Sequence, residues 1–456
     1  MTMDIMINAY REMYGGEPAY MISAPGRVNL IGEHVDYNGL PVLPAAIPYT
    51  ITAIAGRRND SEVRVANIRG DYETGRFELT HDIPRSPGGH WLNYVKAGMQ
   101  GVSEFLPENP NGCNVLFQGT IPSSAGLSSS SALVVASALT ALAVNDVDMD
   151  RLELAETMSH AERYVGTQGG GMDQAICLFG KSGNAVKIEF YPLRTTYVPF
   201  PDSCRIVVAH SMVTASKTEN ALLKYNRGPI ECRIATAILQ DQLAPENKLV
   251  RLGDLLTHVP EATTENGWRR IIDEVFPKET YSLDETAGLL GITPDEVADR
   301  FLRTRSGTSL PVPTDGFLLR NRALYVFSEN DRVEQSCVAL RNGEIEAFGR
   351  LMNDAHNAAD TLYGLSTPEL NVLCDIMRNA GASGARLTGA GFGGCCIALV
   401  QENAVETVIE AIRDKYYNAY LMSAHPEFGR ISVTESILFP IIPADGARVM
   451  TLKTGK

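Results

Sequence analysis

Cysteine pairs at a spacing that could bind metal or frame a disulfide scaffold are missing from this sequence. Eight cysteines occur in 456 residues. None forms a C-x-x-C pair and only Cys395 and Cys396 are adjacent, so reduced, mostly buried thiols are expected rather than a disulfide framework or a zinc site. Positive charge is also short. Forty lysines and arginines against 54 aspartates and glutamates give a formal net charge of -14. Such a chain gains nothing from a phosphate backbone or an anionic bilayer surface, so neither nucleic acid nor membrane is expected as a partner. The N-terminus, "MTMDIMINAYREMYGG", has no basic start followed by an apolar run. No secretory leader is expected, and with the reduced thiols this points to the cytoplasm. Residues 121–144 carry no charge, but Pro122 and a serine cluster leave only a short apolar part. That pattern predicts a core helix rather than a membrane span. Internal repeats and low-complexity tracts are absent.

What is present is a globular composition, 44% hydrophobic and 21% charged, in a chain too long for one ordinary core. Strand-like runs ("LPVLPAAIPYTITAIAG", "CNVLFQGTI", "GNAVKIEFYPL", "CRIVVAHS") alternate with helical ones ("SALVVASALTALAV", "DMDRLELAETMSHAERYVG", "NRGPIECRIATAILQDQL"). The mixture predicts an α+β fold of two lobes, residues 1–197 and 198–456, with a cleft between them. Residues 240–315 are denser in charge and read as a helical insertion in the second lobe. There, Ser282 with Glu285 and Thr293 with Glu296 are two capping-box starts. The stretch 283–304 has the cadence of a helix-turn-helix. Asp295, Glu296 and Asp299 would face phosphate with the wrong sign, so an ordinary helical hairpin is expected. Further on, helices are expected around 335–380, then "ARLTGAGFGGCCIALV" and a closing strand "ISVTESIL".

Three stretches carry chemistry. "APGRVNLIGEHVDYNG", 24–39, places Arg27, Glu33, His34 and Asp36 where a strand should enter the core. Buried charges are costly unless partnered, so these four await either each other or a polar ligand. "GTIPSSAGLSSSSAL", 119–133, leaves a strand through small residues and opens a helix, whose free N–H groups and positive dipole end suit an anion. Ser128 to Ser131 add hydroxyls that can donate to phosphate or ligate a hard cation. There is no Gly-Lys-Ser/Thr, so this is not a Walker loop. "AERYVGTQGGGMDQA", 161–175, delivers Asp173 from a glycine run and holds Glu162 one helix earlier. An Asp presented so is a base or positioning group, or else a helix N-cap. A fourth stretch, "RLTGAGFGGCC", 386–396, is either a wall of a phosphate site or a packing turn.

Together and in this order these stretches resemble the galactokinase family, within the superfamily of galactose, homoserine, mevalonate and phosphomevalonate (GHMP) kinases. "GRVNLIGEHVDYNG" resembles the family's first motif, "IPSSAGLSSSSAL" its phosphate loop, "GGGMDQ" the segment with the catalytic Asp, and "LTGAGFGG" the third motif. The resemblance implies a two-lobed GHMP-kinase fold and transfer of the ATP γ-phosphate to the anomeric hydroxyl of galactose. It implies Mg²⁺ as cofactor and a site that Asp173 and Arg27 make catalytic. Arg27, Glu33, His34, Asp36, Gly170, Asp173 and Tyr225 would bind the sugar. Pro122, Ser123, Ser124, Ala125, Gly126, Leu127 and Ser128 to Ser131 would wrap the ATP phosphates, with Trp91 near the adenine. Ser130, with Glu162, would hold the Mg²⁺ ion. The glycine-poor phosphate loop and the helical insertion are similar to the galactokinase / N-acetylgalactosamine kinase branch, so N-acetylgalactosamine remains the alternative sugar. A sugar and ATP sensor without turnover is a third reading, against which the intact serines and Asp173 argue. A monomer is expected.

Overall fold

The computed structural model describes residues 3–122, 125–166, 169–213, 219–243, 248–303 and 309–452, and of 219–225 the backbone alone. Its strands are β1 (Tyr20–Ile31), β2 (Leu43–Arg57), β3 (Glu62–Asn67), β4 (Gly75–Glu78), β5 (Cys113–Gly119), β6 (Asn184–Glu189), β7 (Arg194–Pro199), β8 (Cys204–His210), β9 (Gly384–Thr388), β10 (Cys395–Gln401), β11 (Leu438–Ile441) and β12 (Arg448–Thr451). They form a six-stranded sheet in the order β12-β1-β2-β5-β3-β4, a four-stranded sheet in the order β11-β8-β10-β9, and the hairpin β6-β7. All neighbours are antiparallel except β3 and β5. This is the α+β architecture expected.

The uncharged stretch forms the helix Ser129–Val144, apolar on every side and buried. It packs on β1, β2 and the helix Leu92–Gly101. Gly98 permits that approach, because a Cβ there would lie 2.1 Å from the Val134 carbonyl oxygen. Among the described residues no helix is long and apolar enough to cross a membrane. Helices Ile345–Ala358 and Pro368–Asn379 cover the second sheet. Apolar side chains of both halves join one continuous core. All eight cysteines are buried and free, as expected.

The insertion is helical. Both capping boxes form, with Ser282 and Thr293 each accepting from the backbone N–H of the glutamate three residues on. The expected hairpin forms from the helices Leu283–Leu290 and Pro294–Phe301, both of which lie against Glu219–Leu243. Trp268 stacks on Phe327 at 5.7 Å, and its indole donates to Asp331 at 3.0 Å. These contacts tie the insertion to the long helix Leu319–Asn342.

Two expectations need correction. Of "ISVTESIL" only Leu438 belongs to a strand, β11. The Thr434 carbonyl accepts from both Ile437 and Leu438, so the chain turns where an extended run was expected. The second lobe also does not keep all of 198–456. Residues 444–447 return along β2 and the helix Met172–Phe179, and β12 pairs with β1 in the first sheet.

Candidate active site

Arg27 stands on β1, and its guanidinium meets Asp173 side-on, Nε to Oδ1 at 2.8 Å and Nη2 to Oδ2 at 3.1 Å. Its third nitrogen, Nη1, donates to the Gly126 carbonyl at 2.5 Å. The guanidinium is almost wholly buried, so this fork-to-fork contact is strong and directional. Asp173 is the second residue of the helix Met172–Phe179, whose N-cap Gly171 takes φ 104°. A side chain at Gly171 would be strained there. The Ser128 hydroxyl also donates to Asp173 Oδ2. Ser128 caps Ser129–Val144 from a left-handed conformation, φ 57°. Three sequence motifs therefore converge on one carboxylate at the start of a buried helix.

Asp36 opens the turn Asp36–Asn38 and accepts from the Gly170 N–H at 2.9 Å. Only glycine fits at 170, since a Cβ would lie 2.4 Å from Asp36 Cγ. Burial, then the charge of Asp173, raises the Asp36 carboxyl to about 6. Glu33 is buried, and its Oε1 accepts from the Gly389 N–H at 2.7 Å. Burial pushes its carboxyl to about 7, against the pull of Arg386 and Arg27. The 386–396 stretch is thus a tight loop that walls this site. Gly389, Gly391, Phe392, Gly393 and Gly394 all take positive φ, which accounts for its glycines. Gly389 also lies back to back with the loop before Ser129, a Cβ there falling 2.8 Å from the Gly126 oxygen.

His34 has partners on both ring nitrogens. Nε2 lies 3.1 Å from the Ala390 carbonyl, which can only accept, so Nε2 carries the proton. Nδ1 then accepts from the Tyr37 hydroxyl at 2.9 Å, which in turn accepts from Tyr363 at 2.7 Å. Burial lowers the imidazole to about 4 and keeps it neutral. His34 therefore fastens the first motif to the third.

Next to the expected metal pair, the Ser131 hydroxyl donates to Glu162 at 2.5 Å. One step along a helix turns a side chain by about 100°, so Ser131 is buried while Ser130 stays half-exposed. Glu162 is buried, and that burial raises its carboxyl to about 7. Among the described residues no three His, Cys, Asp or Glu side chains cluster as a metal site. Trp91 contacts Tyr72 and Phe117, and its indole donates to the Glu73 carbonyl at 3.1 Å. Pro122, Ala125 and Leu127 are buried in the loop wall. Ser123, Ser124 and the Tyr225 side chain lie outside the described residues.

Sequence reasoning missed the supports behind the site. Tyr325 donates to the Glu33 carbonyl at 3.0 Å, Glu329 accepts from the Gly32 N–H at 2.8 Å, and Thr388 bridges the Asn29 backbone. Arg386 was visible as a lone charge in an apolar strand, the same signal that drew attention to residues 24–39.

The galactokinase galactose-binding signature matches residues 8–57. The GHMP kinases N terminal domain matches 93–181, and the GHMP kinases C terminal model matches 337–418. The galactokinase of Dictyostelium discoideum is 33% identical, with 97% of this chain and 92% of that one covered. That of Roseiflexus sp. is 33% identical, with 92% and 95% covered. A solved structure, Lactococcus lactis galactokinase complexed with galactose, aligns with a TM-score of 0.77 at 26% identity, covering 98% of this chain and all of that one. The matched segments contain Arg27, Asp173 and the 386–396 loop, and the likeness runs almost from end to end: this chain belongs to the galactokinase family.

Proposed function

We propose that this chain is an ATP-dependent galactose 1-kinase, producing galactose 1-phosphate and ADP. The observation that carries the reading is the Arg27–Asp173 fork lying beside the N-terminus of Ser129–Val144. One group can receive a hydroxyl proton there while the free N–H groups of the helix end face an anion. The relatives named above are galactokinases, which favours galactose over N-acetylgalactosamine as the acceptor.

Phosphoryl transfer passes through a loose transition state, so the protein's work is positioning and charge neutralisation. Asp173 Oδ2 already accepts two donors and Oδ1 one. Oδ1 therefore keeps a lone pair for the anomeric hydroxyl. As that oxygen bonds to the γ-phosphorus and the bond to ADP breaks, its proton passes to Asp173. Arg27 keeps the carboxylate in place and offsets charge as it develops. Asp36 and Glu33 each retain acceptor capacity for sugar hydroxyls.

Magnesium fits the residues present. Glu162 is a buried carboxyl that a cation would return to its ionised form, and the Ser130 hydroxyl stands one position before its partner Ser131. These two would hold the ion, with water and phosphate oxygens filling the remaining positions. When bound, the ion neutralises phosphate charge. Ser129 and the loop 122–128 would surround the phosphates, with Trp91 toward the adenine. The buried free thiols suit a reducing compartment, the cytoplasm.

The test is ADP release with Mg·ATP across galactose, N-acetylgalactosamine, glucose and galacturonate. Galactose is expected to give the highest kcat/KM. Preference for N-acetylgalactosamine would reassign the acceptor. Saturable sugar binding without ADP release would mark a sensor.

A further inference from the structure

Polar groups from four parts of the chain line up behind the turn that carries Asp36. The Tyr363 hydroxyl lies 2.7 Å from that of Tyr37, and the Tyr37 hydroxyl lies 2.9 Å from His34 Nδ1. His34 Nε2 lies 3.1 Å from the Ala390 carbonyl, and Cys232 Sγ lies 3.6 Å from the Tyr363 hydroxyl. The direction of every bond follows from the carbonyl, which can only accept. His34 commits its one proton to Ala390, so Tyr37 donates to Nδ1, Tyr363 donates to Tyr37, and the Cys232 thiol donates to Tyr363. The bonds thus point one way, from the helix Glu219–Leu243 to the 386–396 loop, and each polarises the next.

Tyr363 is the pivot of this chain. It ends a π-helical turn, Ala359–Tyr363, that follows the helix Ile345–Ala358. Such turns re-aim the side chains they carry and recur at functional sites. The Tyr363 ring is buried and held on three sides. Arg322 stands over it at 4.7 Å, the Tyr325 ring meets it at 4.6 Å, and a Cβ at Gly228 would lie 2.4 Å from its Cε1. Arg322 is itself fixed by Glu231 and the Leu362 carbonyl. Tyr37, by contrast, is half-buried and directly follows Asp36. Its hydroxyl is where this rigid cluster grips the turn. We propose that Tyr363 is a positioning residue for sugar binding: through the Tyr37 hydroxyl it holds His34 and Asp36 in the arrangement that a sugar meets. Tyr363 acts without touching the sugar. The inference rests on the reading of residues 33–36 as sugar-binding.

Steady-state kinetics with galactose and Mg·ATP test it. Tyr363→Phe keeps the ring and removes only the donor. It should raise the KM for galactose about fivefold, the loss expected for one hydrogen bond, with kcat and the KM for ATP within about twofold. Tyr37→Phe breaks the same bond from the other end and should raise the galactose KM at least as much. In the Tyr37→Phe background, Tyr363→Phe should add less than about twofold, because its effect runs through the Tyr37 hydroxyl. A lowered Tm in Tyr363→Phe with an unchanged galactose KM would reduce the chain to scaffolding and overturn the proposal. So would equal rises in the KM for galactose and for ATP. A galactose KM raised by Tyr37→Phe alone would overturn it too, since Tyr37 would then act without Tyr363. If Asp36→Asn leaves the galactose KM unchanged, the reading of the turn as sugar-binding falls instead.

Discussion

Asp173 receives two bonds from Arg27 and one from Ser128, three donors on one carboxylate. Asp173→Asn keeps the shape and removes the proton acceptor, so kcat should fall by about 10²–10⁴-fold while ATP binding, measured by calorimetry, is preserved. A kcat within tenfold of wild type would contradict the assigned role. Glu162 makes a second prediction. Its folded-state pKa of about 7 lies above the ordinary glutamate value of 4.5. Its contribution to stability is therefore full below pH 4.5 and is lost as pH rises through 7. In metal-free protein, Glu162→Gln should then raise Tm relative to wild type at pH 8 and make little difference at pH 5.5, where Glu162 is protonated and resembles Gln. Equal Tm differences at both pH values would refute this.

The elements divide into those whose meaning is local and those whose meaning is not. Helix starts, both capping boxes and the buried helix Ser129–Val144 are legible in the sequence, because caps and apolar periodicity act within a few residues. Arg27, Asp36, Gly170 and Asp173 are legible because their motifs are short and specific. Tyr325 and Glu329 arrive from nearly 300 residues away, and no spacing announces them. The partner of His34 is hidden for the same reason, since the Ala390 carbonyl is 356 residues distant. The insertion shows what such distant contacts do. Gly253 N–H donates to the Asn38 carbonyl at 2.8 Å, Arg251 packs on Gly39, and its guanidinium lies 3.3 Å from the Tyr191 ring centre. This turn braces the loop that carries Asp36. Arg251→Ala should raise the KM for galactose by about twofold to thirtyfold, the range for an exposed to a desolvated cation–π contact, and leave that for ATP unchanged. An equal rise in both would point to general loosening instead.

At the scale of the molecule, the two halves share one core and exchange chain. The first sheet is completed by β12, whose residues Arg448–Thr451 pair with Tyr20–Ser23 of the strand that bears Arg27. A variant ending at Ile441 lacks that edge. It should melt several degrees lower and aggregate more readily, because β1 then presents unpaired backbone to solvent. Unchanged melting and unchanged light scattering would contradict this.

That pairing also sets an order on assembly. A growing polypeptide can complete its second sheet once residue 441 is free, yet the strand bearing Arg27 stays open on one side until residues near 450 reach it. Maturation of the catalytic half thus waits on residues 448–451, and any contact that held them away would delay the enzyme at its first strand.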